Sequence, residues 1–161
     1  MSVNESMDVQ AQHPAAVPLT SPVRNPRSLP AEVHIQIEKL DDIVVARRRG
    51  REIATQLGFS NCDLTLIATA ISEIARNAIE YANGAEIVIA SVKTGSRRGV
   101  KIVVSDQGPG IDDISTVMRD GYSSGNGLGI GLPGTRRLMD EFEIESEPGK
   151  GTTVIMKKWA A

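Results

Sequence analysis

The sequence predicts an α+β fold, a two-layer α/β sandwich in which helices cover one face of a mixed sheet. Two observations lead to this fold class. Long segments whose apolar residues recur every 3.6 positions indicate helices, and short segments that alternate apolar and polar residues indicate strands. The predicted helices cluster before and after the strands, which is typical of two packed layers. The chain should hold about five strands and three substantial helices.

Residues 1–30 differ in composition from the rest of the 161-residue chain. Prolines recur at every fourth position from Pro14 to Pro30, which forbids a helix, and no apolar residues alternate there as in a strand. The segment also lacks the basic start and the apolar stretch of a secretory signal. We therefore expect a disordered, proline-rich tail over 1–30 and one folded domain over 31–161.

The first half of the domain is predicted to hold one strand and two helices. Alternation with polar residues predicts a half-buried strand over three apolar positions, Val33, Ile35 and Ile37. A first helix is expected between Asp41-Asp42, which suit an N-cap, and Gly58, which suits a C-terminal stop. A second helix is expected over about Asn61–Ala82, ended by Asn83-Gly84. Its apolar face has the helical period: Leu64, Ile67, Ala68, Ile71, Ala75, Ala78 and Ile79.

The second half is predicted to hold four strands and two helices. The strands come in two pairs, 86–93 with 100–105 and 142–147 with 152–159. The polar segment 94–99 should be the loop of the first hairpin. A short helix is expected over 113–119. Pro133 favours the first turn of a third long helix, which should end near Glu141.

Composition limits the classes of partner. The net charge of −2 gives no overall attraction to nucleic acid or to an anionic membrane, and five aromatic residues are too few for base-stacking platforms. No apolar run approaches membrane-spanning length. The single cysteine excludes an internal disulfide and fits a reducing cytoplasm. The one basic cluster, Arg47-Arg48-Arg49 with Arg51, is either a solvated helix face or a docking patch for an acidic protein partner.

Glycines are concentrated in residues 108–134, which hold eight of the fifteen in the chain. Such density is typical of backbone that turns tightly or approaches a ligand closely. The spacing from Gly129 to Gly134 matches a dinucleotide fingerprint, but no strand directly precedes it and Pro133 interrupts it. A P-loop at 149–153 is excluded because the Gly-Lys-Ser/Thr ending is missing. A flexible loop remains, leading to a helix N-terminus near Gly131 that favours phosphate.

Two polar features accompany this loop. Glu73 and Asn77 lie four residues apart on the second helix and therefore on one face, although such pairs are common on solvated helices. Asp106 follows the strand at 100–105, and Gly108 and Gly110 allow the backbone to bend after it. Taken alone, the Asp106 segment fits both an ordinary turn and a buried acceptor that faces the amino group of a ligand.

Four segments in this order resemble the N, G1, G2 and G3 boxes of the GHKL (Bergerat-fold) histidine kinase-like ATPase superfamily. The segments are Glu73-Ile-Ala-Arg-Asn77, Asp106-Gln-Gly-Pro-Gly110, Gly127-Leu-Gly-Ile-Gly131 and Gly151-Thr152. Over residues 33–159 the chain is most similar to the RsbT-type switch serine/threonine kinases. The segments 72–77, 106–111, 127–134 and 137–142 carry that similarity.

The resemblance implies ATP and Mg²⁺ as cofactors. Asp106 would accept a hydrogen bond from the adenine amino group, with Thr152 acting through water. Asn77 would bind Mg²⁺, and Glu73 would be the general base. The nucleotide-binding glycines would be Gly108 and Gly110 at the adenine and Gly127, Gly129 and Gly131 around the phosphates. Arg76 would contact phosphate, pair with Glu73 or dock a protein.

The same resemblance implies three alternative functions. The first is a kinase that phosphorylates a STAS-domain antagonist and then activates a downstream phosphatase. The second is an anti-sigma factor of the RsbW or SpoIIAB type, which sequesters a sigma factor and phosphorylates its antagonist. The third is an ATP-binding regulator without transfer activity, which Glu73 argues against because a pure binder needs no base. The segments Glu80-Tyr-Ala and Leu138-Met-Asp-Glu-Phe142 favour the kinase.

Overall fold

The computed structural model describes residues 32–120 and 130–161. The strands in this part are β1 Glu32–Ile37, β2 Ala85–Thr94, β3 Arg97–Ser105, β4 Glu141–Glu147 and β5 Gly151–Trp159. The helices in this part are α1 Leu40–Gln56, α2 Asn61–Ala82, α3 Ile114–Val117 and α4 Gly131–Leu138. The tail expected over 1–30 lies outside the described residues, so the tail and the domain boundary stay predictions.

The five strands form one sheet in the order β1-β2-β3-β5-β4, and each neighbouring pair is antiparallel. The prediction of a mixed sheet is therefore wrong. After β3 the chain crosses over past α3 and α4 and returns as β4, which runs in the same direction as β3. Because β5 turns back and lies between them, these two parallel strands are not neighbours. The two-layer α+β class itself is confirmed.

Helices α1 and α2 pack against each other and against one face of the sheet. The apolar face predicted for α2 is buried there, with Ile67 and Ile71 fully inaccessible. The sheet contributes alternate residues to this core: Ile87, Ile89, Val100, Ile102, Val104, Val154 and Met156. Within the two described ranges, no helix combines the length and the apolar character needed to cross a bilayer.

The first hairpin is tighter than predicted. β2 continues to Thr94 and β3 begins at Arg97, and these two residues are register partners. Only Gly95-Ser96 connects the strands, so the expected loop over 94–99 is mostly strand. Polar side chains on a strand that faces solvent resemble loop residues in sequence, which explains the error.

The two helices of the second half are shorter than predicted. α3 has four residues, and its N-cap Asp113 accepts a hydrogen bond from the Thr116 N–H at 3.3 Å. α4 has eight residues and ends at Leu138. It stops there because the Asp140 N–H already donates to the Lys157 carbonyl of β5 at 3.0 Å. The chain therefore joins the sheet before the expected end of the helix.

Candidate functional site

A cavity of about 340 Å³ opens between α2, the start of α4 and the ends of β3, β4 and β5. This volume lies within the range of small-molecule sites. Most of the wall is apolar: Ile74, Ala78, Ala82, Val104, Pro109, Ile111, Val117, Leu132, Ile144 and Val154. Four polar side chains interrupt it: Asn77, Tyr81, Asp106 and Thr152. An apolar slot with a few placed polar groups suits a flat ring system that carries a few hydrogen-bonding atoms.

Asp106 stands directly after β3, and backbone groups hold one side of its carboxylate. Oδ1 accepts hydrogen bonds from the Gly108 N–H at 2.9 Å and from the Thr152 N–H at 3.1 Å. The Asp106 N–H in turn donates to the Thr152 carbonyl at 2.9 Å. These bonds fix the carboxylate and leave Oδ2 without a hydrogen bond in the described part of the chain. One carboxylate oxygen is thus available as an acceptor at the cavity wall.

The glycines after Asp106 are required by close packing of the protein on itself. A Cβ at Gly108 would overlap the Ala82 side chain at the end of α2. A Cβ at Gly110 would overlap the Glu147 carbonyl oxygen, and Gly110 also has a φ of +74°. Of the two, only Gly110 lines the cavity. The turn therefore places Asp106 by fitting tightly between α2 and the β4–β5 hairpin.

Ser146 on β4 links this turn to β5. Its Oγ accepts from the Ile111 N–H at 2.8 Å and donates to the Gly151 carbonyl at 3.0 Å. It also shares a hydrogen bond of 2.8 Å with Oγ1 of Thr152, its register partner. The sequence pattern did not point to Ser146, because a serine in an alternating strand looks like any surface residue until the strand pairing is known.

One side of α2 carries Glu73, Arg76 and Asn77. Asn77 lines the cavity, whereas Glu73 is only 3% exposed and does not form part of the wall. Arg76 is half-buried and makes no ion pair in the described part of the chain, and its Nε is buried there without a hydrogen-bond partner. One of the three alternatives for Arg76, an ion pair with Glu73, is thus not seen among the described residues. Its phosphate-contact and docking roles stay predictions.

Of the three remaining predicted glycines, the structure describes Gly131. Gly131 begins α4 and lines the wall, next to Leu132. Gly127 and Gly129 lie outside the described residues, so their roles stay predictions. Tyr81, which the sequence interpretation did not assign to the site, lines the wall one helical turn after Asn77. Its spacing of four from Asn77 is the sequence signal that could have revealed it.

The residues fit a magnesium ion that takes few protein ligands. Within the described ranges, no three His, Cys, Asp or Glu side chains lie close enough together to hold a metal. Mg²⁺ usually keeps several waters and takes phosphate oxygens, so one amide or carboxylate oxygen from the protein suffices. The Asn77 amide at the cavity wall meets that requirement.

The basic cluster on α1 lies apart from this cavity wall. Arg48 and Arg49 both pair with Glu52, at 3.8 Å and 3.0 Å. The arginines are exposed, and so is the apolar Val44 on the same helix, at 62%. The cluster therefore stays open to both predicted interpretations, a solvated face and a docking patch.

Residues 38–158 match the family described as "Histidine kinase-like ATPase domain". The match includes the whole described cavity wall and all four predicted boxes. The chain belongs to the histidine kinase-like ATPase family. Within this family it is 52% identical over 118 residues to the serine/threonine-protein kinase RsbT of Bacillus subtilis. That alignment covers 73% of this chain and 89% of RsbT, and it confirms the predicted resemblance.

The chain is also similar to anti-sigma F factors. The one from Thermoanaerobacter sp. is 36% identical over 110 residues, which covers 66% of this chain and 77% of that protein. A solved structure of the RsbU and RsbW domains of a Mycobacterium tuberculosis protein superposes with a TM-score of 0.56 at 24% identity. The match covers 80% of this chain and 32% of that one, so it supports the fold alone.

Proposed function

We propose that this chain is an ATP-dependent serine/threonine-protein kinase of a partner-switching pathway, and that its substrate is a STAS-domain antagonist protein. One observation carries the proposal. Asp106, Asn77 and Thr152 line one cavity of a chain that is 52% identical over 118 residues to the kinase RsbT. Glu73 lies one helical turn before Asn77.

Asp106 would recognise the base. Its Oδ2 would accept a hydrogen bond from the adenine amino group, while Oδ1 remains held by Gly108 and Thr152. The apolar wall would exclude water from the faces of the ring, which strengthens each polar contact. Thr152, held beside Asp106 by the strand pairing, would complete recognition of the base edge through water.

Asn77 and Gly131 would hold the triphosphate. Bound Mg²⁺ would neutralise charge on the phosphates and would take the Asn77 amide oxygen as its protein ligand. The N–H groups at the start of α4 would favour the same phosphates. Gly127 and Gly129 would extend this contact around the phosphates.

Glu73 would be the general base. Its carboxylate would accept the proton of a seryl or threonyl hydroxyl on the partner protein while the hydroxyl oxygen bonds to the γ-phosphorus. The bond from that phosphorus to the β–γ bridging oxygen breaks, and ADP leaves.

An anti-sigma factor is the second candidate, because several relatives at 34–36% identity bear that name. The higher identity to RsbT, over 89% of its length, favours the switch kinase. A downstream phosphatase would then be a further partner, and a sigma factor would not. A cytoplasmic location remains a prediction that follows from these classes of partner.

The test is phosphotransfer from γ-labelled ATP to a panel of STAS-domain proteins, with binding to candidate sigma factors measured on the same samples. The kinase proposal expects label on a serine or threonine of one STAS protein and no stable sigma-factor complex. Glu73→Gln is the matched control, since it should bind ATP but not transfer. A stable sigma-factor complex would favour the anti-sigma function instead.

A further inference from the structure

We propose that Ser146 is a positioning residue that sets the specificity of the site for a base carrying an amino group. It would do so by locking the hydroxyl proton of Thr152 away from the cavity. This inference rests on the proposed ATP site. It adds a residue on β4, outside the four predicted boxes, to the recognition of the base.

The hydrogen-bonding capacity of Ser146 is fully used. A serine hydroxyl has one proton to donate and two lone pairs to accept with. Its proton goes to the Gly151 carbonyl at 3.0 Å, and one lone pair accepts the Ile111 N–H at 2.8 Å. The contact of 2.8 Å with Thr152 Oγ1 therefore has to use the second lone pair of Ser146. Thr152 is the donor in that bond.

The consequence for the cavity is that Thr152 can only accept. Its single hydroxyl proton is committed to Ser146, so its Oγ1 presents lone pairs to any other group. Asp106 Oδ2 is likewise an acceptor when the carboxylate is ionised. The part of the cavity wall formed by Asp106 and Thr152 thus offers only acceptors. A ligand or a bridging water has to supply the donors. At position 6 the amino group of adenine supplies such a donor, whereas the oxo group of hypoxanthine is an acceptor; the donor of hypoxanthine on this edge, N1–H, lies at the neighbouring position.

A second serine–threonine pair on the sheet provides a matched control. Ser105 and Thr153 are register partners on β3 and β5, and their hydroxyl oxygens lie 3.2 Å apart. Thr153 follows Thr152 in the strand, so its side chain points to the opposite face of the sheet. Neither Ser105 nor Thr153 lines the cavity. Loss of this pair removes a similar hydrogen bond but leaves Asp106, Ser146 and Thr152 unchanged.

The experiment measures the Kd of ATP and of inosine triphosphate with Mg²⁺ for wild type, Ser146→Ala, Ser146→Thr and Ser105→Ala. Removal of Ser146 frees the Thr152 hydroxyl to rotate and donate. We expect the preference for ATP over inosine triphosphate to fall by about 10-fold in Ser146→Ala. Ser146→Thr, which keeps the hydroxyl, should restore the preference, and Ser105→Ala should leave it unchanged.

Thr152→Val keeps the test decisive if Ser146→Ala does not fold. This variant removes the Thr152 hydroxyl, which is the acceptor at the cavity, but leaves the hydrogen bonds of Ser146 to Ile111 and Gly151 in place. We therefore expect a similar loss of the preference for ATP over inosine triphosphate. Equal weakening of both nucleotides in Ser146→Ala would mean a purely structural role and would overturn the inference. An unchanged preference in Thr152→Val would overturn it too. A wild-type protein that binds neither nucleotide would instead refute the proposed function itself.

Discussion

The two ends of the cavity are built in different ways. The base end, defined as Asp106, Ser146 and Thr152, is assembled from hydrogen bonds between strands: Asp106 with Thr152 across 46 positions, and Ser146 with Thr152 across a hairpin. The phosphate end, defined as Glu73, Arg76, Asn77 and Gly131, takes three of its four members from a single helix, and of these three only Asn77 lines the cavity. Backbone N–H groups hold the base end, while the phosphate end holds a buried carboxylate and an arginine without an ion pair in the described residues.

The difference matches what the proposed ATP ligand would require of the two ends. A base is neutral and is distinguished by the positions of a few donors and acceptors, so its site needs fixed geometry. A triphosphate is highly charged and binds through a metal ion and long cationic side chains, which adjust to it. Substitutions at the two ends should therefore have separable effects on binding and on transfer.

The largest expected effect is at the phosphate end. Glu73→Gln should lower phosphotransfer by ~10² to 10⁴-fold, because the amide cannot accept the substrate proton. The affinity for Mg-ATP should stay unchanged, since Glu73 does not line the cavity. Labelled transfer and calorimetric binding on the same protein would check both statements. Normal transfer by this variant would remove Glu73 from the role of base.

At the base end, Asp106→Asn should weaken ATP binding on the order of 100-fold. The native Oδ1 accepts two backbone N–H groups, so one side of the carboxylate needs an acceptor. Whichever way the amide turns, its NH₂ group faces either those donors or the adenine amino group. Circular dichroism should show a folded protein, because the change is isosteric. Normal ATP binding by the folded variant would refute the assignment of Asp106 to the base.

The packing behind the base end can be tested with two neighbouring glycines. Gly149 and Gly151 have φ values of +78° and +87°, but only at Gly151 would a Cβ overlap the Asp106 carbonyl oxygen. Gly149→Ala should lower the free energy of unfolding by about 1 kcal/mol, from backbone strain alone. Gly151→Ala should lower it by about 2 to 4 kcal/mol, since overlap adds to strain.

Urea denaturation of the two alanine variants would give this difference directly. Nucleotide affinity should also fall in Gly151→Ala, because relief of the overlap moves Asp106, and should be retained in Gly149→Ala. Equal stability of the two variants would show that the hairpin can move away from Asp106 without loss. The base end would then be less rigid than its hydrogen bonds indicate.

The smallest expected effect concerns Arg76. If it contacts phosphate, Arg76→Met should weaken ATP binding by about 10-fold and ADP binding by less, because a charge-assisted hydrogen bond is lost. Comparison of the two Kd values separates this role from protein docking. Unchanged nucleotide affinities together with a weaker complex with the protein substrate would assign Arg76 to docking. Arg76 would then not belong to the phosphate end.

The contrast between the two ends also explains what the sequence could predict. Glu73 and Asn77 are related by one helical turn, so their spacing and the apolar period of α2 place them together without knowledge of the tertiary fold. Ser146 and Thr152 lie on a predicted strand pair, but the alternation of residues does not give the register that makes them partners. Ile111 lies 35 positions before Ser146, so no local spacing indicates their hydrogen bond.

The same reason accounts for the error in the sheet. Alternating residues predict that a strand exists, but not which neighbours it takes. Because β5 lies between β3 and β4, every neighbouring pair of strands is antiparallel. The sequence pattern does not reveal this strand order, so it led to the expectation of a mixed sheet. The turn at Gly95-Ser96 was missed because polar residues at 97–99 look like a loop until they pair with β2.

The interior position of β5 has a consequence for synthesis of this protein. β5 is the fifth strand in sequence, yet β3 cannot complete its hydrogen bonding until residues 151–159 have been made. A nascent chain that stops earlier exposes an apolar strand edge, which favours chaperone binding and delays folding. It also lacks Thr152, which is part of the proposed nucleotide site. Translation that aborts before β5 should therefore yield fragments that do not compete with the finished chain for ATP.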